Sequence, residues 1–345
     1  MMGGLSLEEA LKMHMLFWQM SNSRPLTRLG RYEPLRRDVA IPLADGRLVT
    51  DGVLLEPQLI EPKLFIRCLD INFDSPILSG DFIRTLAPAD LCWTQAFIGC
   101  PIRVSAGKVW AEPIIHDVEN IHMHMKINDK WLQKFLEFTS ALVEFSRGRL
   151  PVVQPLFRGP MDMAASALGP ERLCISIFRR PDALRSLLDF YADVFIQSFN
   201  MQLSLLPKFS GGYSCMYGIW APEPICRNQA DYSVLISPKV YEKIFLPYDV
   251  KVIKASKYSI FHLHSANIHL ADKLVEIPEL SAIQVSIDYP AKVFSPPVQS
   301  LLPTLKRIQR EKPLIITGPV TRQELQMIYR DLSPNGLALD LQILD

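Results

Sequence analysis

From Pro62 onward short apolar runs alternate with longer amphipathic stretches, and this rhythm constrains the fold more than any other feature of the sequence. The strand-like runs are LFIRCL (64–69), PVVQPLF (151–157), SIFHLH (259–264), AIQVSID (282–288), PLIIT (313–317) and GLALDLQ (336–342). Helix-like segments lie between them: KWLQKFLEFTSALVEFSR, RPDALRSLLDFYADVFIQSFNMQL, SPKVYEKIFLPYDVKVIKAS and VQSLLPTLKRIQRE. Repeated strand, helix and strand imply parallel pairing, because each crossover must carry the chain back to the edge it left. The order suits a closed barrel or an open doubly wound sheet.

Ahead of this region, Ser6 and Glu9 have capping-box spacing, and Leu11, Met15, Phe17 and Trp18 favour an opening helix that SNSRP ends. Residues 24–52 carry Arg24, Arg28, Arg31, Arg36, Arg37 and Arg47 among turn formers. That segment reads as an irregular arm, either a substrate clamp or a solvated basic loop. The piece CPIRVSAGKVWAEPII predicts a β-hairpin turning at Ala-Gly-Lys.

Charge and cysteine usage exclude several classes. With 37 Lys and Arg against 36 Asp and Glu, the chain lacks the general positive field of a nucleic-acid or anionic-membrane binder. Six scattered cysteines without a Cys-x-x-Cys pair read as free thiols, so a cytoplasmic location is expected. Acidic and basic residues interrupt MMGGLSLEEALKMHMLFWQM before a signal core forms, and no run approaches the roughly 20 apolar residues needed to span a bilayer. No GxGxxG, P-loop or nucleophile elbow is present.

The richest chemistry lies in SIFHLHSANIH. On a strand, period two sets His262 and His264 on one face and Phe261 and Leu263 on the other. Two imidazoles at a strand's carboxyl end can hold Zn²⁺, transfer protons or satisfy one another in a polar core. In AIQVSIDYP the same alternation aligns Gln284, Ser286 and Asp288 before Tyr289; Asp288 is a site carboxylate or a turn cap. PVVQPLFRGPMD offers Gln154, Arg158 and Asp162, with Arg158 gripping a substrate carboxylate or pairing with Asp162. In KFSGGYSCMYG the glycine pair before Tyr213 lets backbone approach a ligand or makes a plain turn. Asp231, in NQADYSVLISP, is a pocket acid or part of a helix cap. His122 and His124 read as surface or internally satisfied histidines.

Several segments together resemble the uroporphyrinogen decarboxylase superfamily, which includes methylcobamide:coenzyme M methyltransferases and corrinoid-linked demethylation enzymes. They are FWQMSNSRPL, VWAEPIIHDVENI, QPLFRGPMDMAASALG, QADYSVLISPKVYEKIFLP and FHLHSANIHLADKLVEIPELSAIQ. The resemblance implies one (β/α)8 barrel domain over residues 1–345, with residues 1–58 as N-terminal helix and arm, residues 59–345 as the barrel and the hairpin as an insertion. Methyltransferase members bind zinc through a His-x-Cys and a late cysteine. Here His262 matches the first ligand, His264 stands where the cysteine falls, and no cysteine follows Cys226. The resemblance therefore implies a two-histidine zinc site completed by Asp288 or Asp340, acting on a small methylated compound with a corrinoid carried by a partner protein. Gly30-Arg31-Tyr32, with Pro34 and Arg36, is similar to the decarboxylase segment that grips substrate carboxylates, which implies cofactor-free decarboxylation as an alternative. A barrel that binds ligand without chemistry is a third reading, and homodimerisation is left open.

Overall fold

The computed structural model describes residues 5–33, 40–69, 71–288 and 296–344; Arg36 and Tyr289 lie outside them. Its centre is a parallel sheet of six strands: β1 (Leu26–Arg31), β2 (Ile225–Gln229), β3 (Tyr258–His264), β4 (Ala282–Ser286), β5 (Leu314–Thr321) and β6 (Leu337–Leu344). They are ordered β1-β6-β5-β4-β3-β2. Helices cross between consecutive strands, among them Leu246–Ile253 between β2 and β3, Val298–Glu311 between β4 and β5, and Arg322–Asp331 between β5 and β6. The architecture is mixed α/β. Among the described residues the ladder joins six strands and does not close on itself.

Each open edge meets a segment that pairs little. Beside β1, the Asp81 amide donates to the Thr27 carbonyl at 2.9 Å, and the Asp81 carboxylate accepts from the Thr27 amide at 2.8 Å. Beside β2, the Gln154 side chain accepts from the Arg227 amide at 2.8 Å and donates to its carbonyl at 2.9 Å. A side-chain amide thus takes the place of a ladder rung just before Pro155, which has no amide hydrogen. The two segments touch each other through a parallel bridge at Leu86 and Val152.

The two faces of the sheet pack differently. Phe261 and Leu263 of β3, Ile283 and Val285 of β4, and Leu314 and Ile316 of β5 join the helices in the main core. On the other face, Leu26, Ile225, Ile260, Ala282, Ile315 and Ala338 build a second apolar cluster around Phe17 of the opening helix, Tyr217 and Ile219. Further along the strands this face turns polar, with Arg28, Arg227, His262, Gln284, Thr317 and Asp340 following the apolar layer at period two. The candidate site stands on that polar layer.

Several sequence expectations hold. The helix Leu7–Trp18 carries the Ser6/Glu9 capping box, and Ile102–Ser105 pairs antiparallel with Lys108–Ala111 across Ala106 and Gly107, both at positive φ. Others do not. LFIRCL is part of a helix, Pro62–Arg67, because Pro62 suits a first helical turn, the Glu61 side chain caps the Lys63 amide, and Phe65 packs on Phe138. PVVQPLF forms only a one-residue bridge, since Pro151 and Pro155 supply no ladder donors. The supposed irregular arm contains β1, and β2 was not foreseen. Among the described residues no helix is long and apolar enough to cross a membrane.

Candidate metal centre

The sheet delivers three donor groups to one point. His262 and His264 project from the same face at the end of β3, with ring centroids 4.7 Å apart and planes at 82°. Asp231 lies two residues beyond β2, in a turn that the Ser233 hydroxyl and the Asn267 amide hold by donating to the Ala230 carbonyl. Its Oδ1 is 3.8 Å from Nε2 of His262 and 3.9 Å from Nε2 of His264. One ligand atom from each of the three residues lies within 4.8 Å of the others. Zinc–ligand bonds of about 2.0–2.2 Å put tetrahedral ligands roughly 3.3–3.5 Å apart, so each carboxylate–imidazole pair needs to close by about half an ångström, and no pair of the three by more than about 1.5 Å.

The donor set passes a second test of fit. Asp231 Oδ1 is buried and has no hydrogen-bond partner, whereas Oδ2 accepts from Gln229 Nε2 at 2.6 Å. A buried carboxylate oxygen without a donor costs about 1–3 kcal/mol, and a cation between it and the two imidazoles removes that cost. Burial, the Arg227 guanidinium and His264 push the His262 pKa well below the ordinary value, which leaves the imidazole neutral with a lone pair to give. His264 is pushed upward, chiefly by its 2.8 Å hydrogen bond to Asp288, whose second oxygen accepts from the Ser265 hydroxyl at 2.8 Å.

Arg158, Asp162 and Asp231 line an adjoining cleft of about 680 Å³, together with Asp90, Gln95 and Trp110. The two imidazoles are not on its wall and meet it through Asp231. The Arg158 guanidinium stands 3.6 Å from Asp231. Burial opposes its charge, but Asp90, Asp231 and Asp162 outweigh burial and hold it protonated. Burial and the nearby Asp231 charge push the Asp162 carboxyl up to about 6, against hydrogen bonds from Gln229 and the Tyr232 amide.

Other candidate residues stand elsewhere. Asp340 does not join the histidines: Arg28 holds it with two hydrogen bonds of 2.7 and 2.6 Å across β1 and β6. Asp288 contacts His264 Nδ1 and so sits behind the ligand instead of beside it. Tyr213 belongs to the short hairpin Tyr213–Ser214/Trp220–Ala221, and an added Cβ on Gly212 would collide with Ala221 and Trp220. Gly212 therefore serves packing, and Gly211, at φ +80° with open space around it, serves the turn. Gln154 is buried against Arg227, and Arg31, exposed at the end of β1, is not on the cleft wall. The NQAD segment offers Gln229 beside Asp231, but Arg227 and Tyr217 escape the sequence reading; in ICRNQAD, polar Arg227, Gln229 and Asp231 recur at period two, which is the signal available.

No protein-family model matches the chain, and no curated protein matches it significantly. Among solved structures, a methyltransferase from Methanosarcina mazei is similar over 96% of this chain and 93% of its own, with a TM-score of 0.59 and 14% identity. That likeness shows a shared fold.

Proposed function

We propose that the chain is a uroporphyrinogen decarboxylase-like (β/α)8 barrel enzyme that transfers a methyl group between a small methylated compound and a corrinoid on a partner protein. In this reading Asp231, His262 and His264 hold Zn²⁺. The observation that carries it is the unpartnered Asp231 Oδ1 facing two imidazole nitrogens at 3.8 and 3.9 Å. The fold shared with the Methanosarcina mazei methyltransferase supports the methyl-transfer class. The barrel reading is supported by the two edge segments, which meet at Leu86 and Val152 and are tied to β1 and β2 through Asp81 and Gln154.

Bound zinc would supply Lewis acidity, lowering the proton affinity of a thiol or polarising a leaving heteroatom. The chain's own residues do the rest. Asp288 and Ser265 orient His264, Gln229 holds Asp231, and Trp110 offers an aromatic wall to substrate in the cleft. Arg158 balances the charge of Asp90 and Asp231.

Zinc titration of chelator-treated protein, followed by dialysis and metal analysis, tests the proposal. About one zinc per chain is expected, with loss in His262→Ala, His264→Ala and Asp231→Ala. Demethylation of methylcobalamin by a simple thiol, read from its visible absorption, should need the zinc-loaded wild type. A wild type that retains no zinc overturns the proposal.

A further inference from the structure

We infer that Arg227 sets the hydrogen-bond direction of the whole donor group, with Gln284 as the positioning residue that holds His262 in its Nδ1–H tautomer and presents Nε2 to the metal. The inference rests on the zinc site proposed above and concerns residues that touch neither metal nor substrate.

Arg227 is buried, and every guanidinium nitrogen only donates. Its Nε donates to the Tyr217 hydroxyl at 3.0 Å. The Tyr217 proton must then point away from Arg227, and it goes to Gln284 Oε1 at 2.7 Å. With Oε1 fixed as the acceptor, Gln284 Nε2 turns to the Thr317 hydroxyl at 2.7 Å. The remaining lone pair of Oε1 meets His262 Nδ1. Nδ1 therefore carries the proton, and Nε2 is left as a bare lone pair aimed toward Asp231 Oδ1.

A second branch from the same guanidinium acts on the carboxylate. Arg227 Nη1 donates to Gln229 Oε1, which directs the Gln229 amide hydrogens to Asp162 Oδ2 at 2.9 Å and Asp231 Oδ2 at 2.6 Å. Oδ2 is thereby occupied and Oδ1 left without a donor. Gln154 fixes the origin of both branches by gripping the Arg227 backbone. The opposite orientation of Gln284 would aim amide hydrogens at both Tyr217 and His262, stranding the Tyr217 proton and moving the imidazole proton to Nε2. Arg227 makes that arrangement the costlier one.

Two measurements decide. In metal-free wild type, ¹⁵N-correlated NMR of the histidine side chains should show His262 as the Nδ1–H tautomer. Zinc competition against a chromophoric chelator should show Gln284→Leu weakened about 10- to 100-fold, the range for loss of a ligand-orienting partner. Gln284→Glu still accepts from Nδ1 and should bind zinc at least as tightly as wild type. If Gln284→Leu fails to fold, Tyr217→Phe cuts the relay one step earlier and should weaken zinc binding and mix the tautomers. An Nε2–H tautomer in the wild type, or unchanged zinc affinity in folded Gln284→Leu and Tyr217→Phe, overturns the inference. A wild type that takes up no zinc overturns the metal site instead, and the observed tautomer alone then decides whether the relay works as described.

Discussion

Replacing Asp249 by asparagine should raise stability at neutral pH and leave it nearly unchanged below about pH 4. Asp249 is fully buried on the helix Leu246–Ile253 and accepts from the Tyr241 hydroxyl at 2.6 Å and from Asn228 Nδ2 at 2.8 Å. Removal from water outweighs both bonds and pushes its carboxyl from 3.8 up to about 7. Because the folded value lies above the unfolded one, the group's stabilising contribution is complete below about pH 4 and is lost as pH rises toward 7. Each pH unit well inside that window is worth about 1.4 kcal/mol and the slope halves at the folded value, so wild type should lose about 2 kcal/mol between pH 5 and 7 from this residue. Asparagine cannot ionise, and it keeps a carbonyl oxygen to accept from Asn228 Nδ2. Urea unfolding of both proteins at pH 5, 6, 7 and 8, followed by tryptophan fluorescence, isolates the effect, since all other titrations cancel in the difference. The stability gap should widen to pH 7 and then level off. A gap constant to within about 0.5 kcal/mol across the range would refute the assignment of a neutral buried carboxyl.

Two further substitutions separate structure from site. Asp340→Asn should cost about 1–2 kcal/mol by weakening the two-point pairing with Arg28, which is partly exposed and therefore screened. It should leave zinc affinity within about twofold, whereas a drop of tenfold or more would return Asp340 to the ligand set. Gly159→Ala should cost about 3 kcal/mol or more, because a Cβ there collides with the Gln229 carbonyl and the Asn228 side chain beneath the donor group. A Gly159→Ala protein as stable as wild type in thermal unfolding would contradict that packing.

What the sequence disclosed depended on which physical signal each segment carried. The strands β3 to β6 were legible because their apolar runs are flanked by helices of strong 3.6-residue period, and His262 and His264 were legible because period two alone puts them on one face. The strands β1 and β2 were hidden by composition. ICRNQ carries arginine, asparagine and glutamine because Arg227 and Gln229 support the donor group, LTRLGR carries Arg28 because it pairs with Asp340 across the sheet, and hydropathy reads such residues as loop. LFIRCL misled for the converse reason: six residues are too short to separate helix from strand, and the deciding Pro62 and Glu61 lie just outside the run.

The third ligand was beyond sequence reasoning because three aspartates end near the same edge of the sheet and only their partners distinguish them. Arg28 satisfies both oxygens of Asp340, while His264 and Ser265 satisfy those of Asp288. Asp231 alone of the three presents a buried oxygen without a donor, and it does so within 4 Å of the His262 and His264 Nε2 atoms. Acceptor atoms packed face to face in a buried site repel one another, and the repulsion is stronger there than in water. A proton on His264, which Asp288 favours, relieves one edge of that triangle. A divalent cation relieves all three, and so the same arrangement that is strained as a hydrogen-bonded cluster is economical as a metal site.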